Sequence, residues 1–156
     1  MNLLSYRAMN AGRSLVLAVV VAATVIGAGA GAAHESRVGQ LHGRWTLASA
    51  ERDGKPADDL RGHTLTFARD AFVIHAASGS VLYRGTYRTD ADRKPAHIDL
   101  RHTEGELRGK TWLGVYALDG DRLSIADNAP DLTKPRPPAL ATKPDSGYVL
   151  LTFRRA

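Results

Sequence analysis

From residue 44 onward the chain runs in short stretches of alternating apolar and polar residues, broken by turn residues. That alternation constrains the fold more than any other feature. A period of two sends successive side chains to opposite faces of a strand, so each run can bury one face and leave the other in water. Strands are predicted over 44–52, 63–67, 71–76, 80–88, 97–102, 110–118, 122–127 and 148–155. Between them Arg69-Asp70, Ser78-Gly79 and Asp119-Gly120-Asp121 supply hairpin chemistry. The stretch 55–62 reads as one helical turn: Pro56 can start it, Asp58 and Asp59 suit its positive end, and Gly62 can end it. The segment 127–147 carries five of the seven prolines, too many for a central strand, and is expected to be an ordered loop.

Counting by twos gives the inward face. It holds Trp45, Leu47 and Ser49 of the first run, Leu65 and Phe67 of the second, Phe72 and Ile74 of the third, and Val81, Tyr83 and Tyr87 of the fourth. Ile98 and Leu100, then Leu123 and Ile125, then Val149, Leu151 and Phe153 continue the set, while 112–118 is apolar on both faces and ambiguous. Eight antiparallel strands with one apolar face escape their edge problem best by closing into an up-and-down barrel. A two-sheet sandwich is the alternative.

The N-terminal fifth is set apart by composition. Arg7 and Arg13 lead an apolar stretch over 15–26, and residues 27–33 are all small, which is the pattern of a secretory signal peptide. Cleavage is expected after Ala32 or Ala33. An uncleaved membrane anchor is the rival, but the glycine-rich end makes a poor helix core. The expected organisation is a leader over 1–33, a tail over 34–40 and one domain over 41–156, exported to the periplasm or the medium, with no stable membrane span after cleavage. With no cysteine anywhere, no lipid-modified N-terminus can form and no disulfide can help the fold, so burial alone must hold it. The formal charge of +5 falls to +3 without the leader, since 1–33 contain two arginines and no acid. The remaining basic residues alternate with acids instead of massing on one face, so a nucleic-acid partner is not expected.

Catalytic signatures are missing. There is no G-x-S-x-G elbow, no phosphate-cradling glycine loop, no H-E-x-x-H and no cofactor fingerprint, so neither an enzyme, a metal nor a cofactor is expected. Of the six histidines, His63 and His102 could meet at one end of a barrel. The one enzymatic reading worth naming would pair His102 with Glu51, but nothing in the sequence activates the pair.

The triplet Gly43-Arg44-Trp45 resembles the G-x-W motif that opens the first strand of lipocalins, in which the tryptophan plugs the closed end. The stretches "LHGRWTLASAERDGKPADDL", "GTYRTDADRKPAHIDL", "GKTWLGVYALDGDRLSI" and "VLLTFRR" widen the likeness. Over 41–155 the chain resembles a family of short secreted lipocalin-like domains, calycin-type barrels abundant in planctomycete bacteria and without an assigned function. The resemblance implies a lipocalin-like barrel and supplies no catalytic residues. It also implies an arginine of the last strand packed across the tryptophan. Counting by twos from Val149 reaches Arg155, so Gly43, Trp45 and Arg155 form the expected structural plug.

If strands alternate in direction, the loops 68–70, 89–96 and 119–121 fall at the Trp45 end, and 53–62, 77–79, 103–109 and 128–147 at the other. The longer loops gather opposite Trp45, where a mouth is expected. Parity places Glu51, His63, Leu65, Tyr83, Leu100, His102, Ile125 and Val149 inward near that mouth, with Trp112 as a further member. The mixture suits a small, largely apolar ligand. A fully packed barrel without a cavity is the competing expectation. So is a partner-binding or inhibitory module in which the proline-rich segment 129–147, with Lys134, Arg136 and Lys143, inserts into another protein; a lid folded back on the barrel is the favoured use of that segment.

Overall fold

The computed structural model describes residues 39–156; the leader and residues 34–38 of the tail lie outside the described residues. The first strand, β1 (Gly43–Arg52), is followed by a two-residue strand β2 (Lys55–Pro56) and a 3-10 turn (Asp58–Leu60). Then come β3 (Thr64–Ala68), β4 (Ala71–His75), β5 (Val81–Asp90), β6 (Ala96–His102), β7 (Thr111–Asp119), β8 (Arg122–Asp127) and β9 (Val149–Arg155). Each barrel strand pairs antiparallel with its neighbours in chain order, and β9 pairs back onto β1. Eight strands therefore close into a cylinder, with β2 an extra strand on the free side of β1.

The predicted one-turn helix is a 3-10 turn of three residues, shortened because Lys55 and Pro56 join a hairpin. Asp53 and Gly54 both take positive φ, 50° and 75°, between the paired Arg52 and Lys55. That is the backbone of a type I′ turn, for which Asp-Gly is well suited.

Inside the cylinder Trp45, Phe67, Phe72, Leu65, Ile98, Leu123 and Ile125 are essentially inaccessible to solvent. The β7 ambiguity resolves in favour of even numbers: Trp112, Gly114 and Tyr116 are buried, and Trp112 and Tyr116 join the core, although Val115 is buried too. Two inward expectations fail. A bulge in β1 lets Leu47 face Phe153 while Ser49 faces Thr152, so parity slips by one residue and Ser49 is exposed. In β5 a second bulge pairs Ile74 with Tyr83 and His75 with Val81. Residues 81–84 also extend past the last β6 pair, Gly85 with His102, which leaves Val81 45% exposed.

The closed end answers why glycine precedes Arg44 and Trp45. The Trp45 ring is fully buried, and its Nε1 donates to the Leu41 carbonyl at 2.8 Å. The Arg155 guanidinium lies 4.2 Å from the ring centre and donates through Nη1 to the His42 carbonyl and through Nη2 to the Gln40 carbonyl, each at 2.9 Å. Gly43 has φ +119°, and a Cβ there would stand 3.2 Å from Arg155 Nη1. The backbone therefore favours a residue without a side chain, and the arginine leaves little room for one.

Candidate ligand site at the barrel mouth

Opposite Trp45 the barrel opens into a hollow of about 590 Å³. Its wall comes from the strand ends and from three of the four loops assigned to that end. Leu47, Leu65, Ile74, Leu151 and Phe153 form the apolar depth, and Leu60, Leu107, Ala129 and Pro130 are brought in by loops.

His63, Leu65, Tyr83, Trp112 and Val149 line this hollow. Glu51, Leu100, His102 and Ile125 do not. Glu51 is turned outward by the β1 bulge and lines a separate outer depression with Pro56 and Ala57; Arg52 takes its place in the wall. Leu100 and Ile125 lie deeper, 3% and 1% exposed, in the packed lower barrel. His102 is 1% exposed beneath the rim, edge-on to Phe72 and Tyr83 at 5.5 Å and to Trp112 at 4.2 Å. Neither of its ring nitrogens has a hydrogen-bond partner among the described residues, and burial holds its pKa below the usual histidine range, so the ring is neutral. Neither Glu51 nor another histidine among the described residues hydrogen-bonds to His102.

The residue that sequence reasoning missed is Asp127, although counting by twos from Leu123 through Ile125 lands on it. It closes β8 facing Gly114 and Val149 and forms part of the cavity wall at 2% exposure. Oδ1 accepts from the Ala129 amide at 2.9 Å, and no partner for Oδ2 occurs among the described residues. Burial pushes its carboxyl up to about 7, only partly opposed by that hydrogen bond. Thr64 Oγ1 and Trp112 Nε1, on residues of the same wall, are also buried without partners among the described residues.

Other charges at the rim are engaged or exposed. Both terminal nitrogens of Arg52 meet the Asp59 carboxylate, at 3.3 and 3.1 Å, which holds Asp59 below the usual carboxylate range. Glu104 lies 3.6 Å from Arg84, and Glu106 is exposed at the lip. Among the described residues no group of three or more His, Asp or Glu could hold a metal ion.

The proline-rich segment lies back along the barrel. Arg136 Nη1 donates to the carbonyls of Gly114 and Ile98, at 2.7 and 3.2 Å, and pairs with Asp99 at 2.7 Å. Asn128 bridges the Leu113 amide and the Lys134 carbonyl, both at 2.8 Å. The far end is tied to the β1–β2 turn, where Asp53 Oδ1 accepts from the Gly147 amide at 2.6 Å and Thr142 Oγ1 accepts from the Gly54 amide at 3.0 Å. Lys143 is exposed and Lys134 half-buried. Compared with protein-family models, curated proteins and solved structures, the chain matches none of them.

Proposed function

We propose that this chain is an exported binding protein that holds a small, largely apolar compound in the open mouth of its barrel. The observation that carries the reading is the hollow itself. At about 590 Å³ it falls within the size range of small-molecule sites, and its wall is mostly apolar with a few inward polar groups. The exposed apolar lip of Val81, Leu82 and Tyr83 beside it continues that surface outward. The lipocalin-like stretches and the leader-like segment support the same assignment, the second by implying export. Use of the 129–147 segment as an inserting arm would first require release of Arg136 from Asp99 and two backbone carbonyls, so the lid reading is preferred.

The two tryptophans make binding measurable. Trp112 lines the hollow while Trp45 is sealed at the other end, so a mouth ligand should perturb the first alone. Titration with the neutral probes retinol and Nile red is expected to give saturable low-micromolar binding, with the intrinsic fluorescence response removed in Trp112→Phe. Absence of binding by both probes at high micromolar concentration would reject the reading. For export, N-terminal sequencing of chain recovered outside the cytoplasm is expected to begin at Ala33 or His34.

A further inference from the structure

We infer that the compound held in this hollow is an apolar amine, its ammonium group set against the Asp127 carboxylate beside Trp112 and Tyr83. The inference rests on the small-molecule reading and specifies the head group. Three features carry it. Asp127 is a buried carboxyl in the cavity wall with one oxygen committed to the Ala129 amide and none of the described residues offering a cation to the other. A buried carboxylate without a counter-charge is strongly unfavourable, and a ligand cation is the group that would complete it.

Aromatic rings supply the second feature. Tyr83 and Trp112 both line the hollow, their ring centres 5.0 Å apart and steeply inclined, so π-electron surface is available to an ammonium group near the carboxylate. Charge at the rim is the third. Glu104 and Glu106 stand at the lip, whereas the wall's arginine, Arg52, already has its guanidinium forked onto Asp59. A carboxylate-headed guest would meet these acids without a free arginine to receive it. An alcohol could hydrogen-bond to Asp127 but would leave an ionised carboxyl uncompensated. Because burial brings the Asp127 carboxyl to about 7, its proton is readily lost to solvent near neutrality as an ammonium group takes its place.

The test compares three probes with one body and different heads, 4-phenylbutylamine, 4-phenylbutan-1-ol and 4-phenylbutyrate, by titration calorimetry on the mature chain at pH 7.5. The amine is expected to bind at least tenfold more tightly than the alcohol, with the butyrate weakest. Asp127→Asn is expected to bring the amine to the level of the alcohol while changing the alcohol less than threefold. Since that variant alters a buried position, carbon-13 spectra of the unmutated protein at pH 6, where this carboxyl is mostly protonated, provide a second readout: the Asp127 carboxyl resonance should move to its ionised position on adding amine and stay put with alcohol. An amine no tighter than the alcohol, or an unmoved carboxyl resonance at saturation, overturns the inference. If retinol and Nile red still bind in that case, the small-molecule reading survives; if no probe binds, both fall.

Discussion

Asp127 ends a strand whose preceding inward residues, Leu123 and Ile125, are both apolar, and it continues their row into the cavity wall. Its proton affinity has a consequence for stability. The unfolded chain loses this proton near 3.8 and the folded chain near 7, so between those values the fold holds a proton that the unfolded chain has released. Stability is therefore fully supported below about pH 3.8, declines as pH rises through the window, and has lost this contribution above about pH 7. A gap of about three pKa units corresponds to on the order of 4 kcal/mol. Asp127→Asn keeps an oxygen for the Ala129 amide and removes the titration. Urea unfolding is expected to find the variant about 2–4 kcal/mol more stable than the parent at pH 8, and within about 1 kcal/mol of it at pH 4. A parent whose stability is flat from pH 4 to 8 would contradict the assignment.

At the level of elements, the β1–β2 hairpin is a small structure with a wide reach, because its turn anchors the end of the 128–148 segment through Asp53 and Gly54. Gly54 has φ +75°, and a Cβ there would lie 3.1 Å from Pro144. Gly54→Val is expected to cost about 1–3 kcal/mol through backbone strain and that contact. It should also expose the Gly147 amide to faster hydrogen exchange than in the parent. The eight strands were legible because period-two alternation reports burial directly, as the Leu123-Ile125 and Val149-Leu151-Phe153 rows show, and the same count picked Arg155 over Arg154 for the closed end. The mouth was only half legible. A single inserted residue near Ala48 reverses every later side chain of β1, so Arg52 stands where Glu51 was expected, and alternation carries no mark of such an insertion. The Asp53-Gly54 pair was a visible hairpin signal, obscured by the attention that Pro56 draws to a helical start. Leu100, Ile125 and His102 were misplaced for a different reason: parity gives the face of a strand, not the depth at which packing stops and the hollow begins.

For the molecule as a whole, closure joins the two ends of the described chain without any covalent link, since the protein has no cysteine. Arg155 concentrates that closure: it stacks on Trp45, donates to Gln40 and His42, and reaches Asp121 at 3.1 Å through Nε. Arg155→Lys keeps the charge and forfeits the planar fork. It is expected to cost about 1–3 kcal/mol in guanidinium unfolding, with Trp45 fluorescence and far-ultraviolet circular dichroism still reporting one shared transition. The other side of β1 is joined less completely. Its ladder to β3 ends at the bond from the Leu47 amide to the His63 carbonyl, and beyond that point the connection 53–62 stands in for a strand. Leu60 of that stretch and His63 just after it face the hollow, on a wall held there by the short β1–β2 ladder, the bond from the Ala57 amide to the Ala50 carbonyl and tight turns. A guest in the cup therefore meets, along this stretch, a wall made from a two-residue strand and a 3-10 turn in place of a continuous barrel strand.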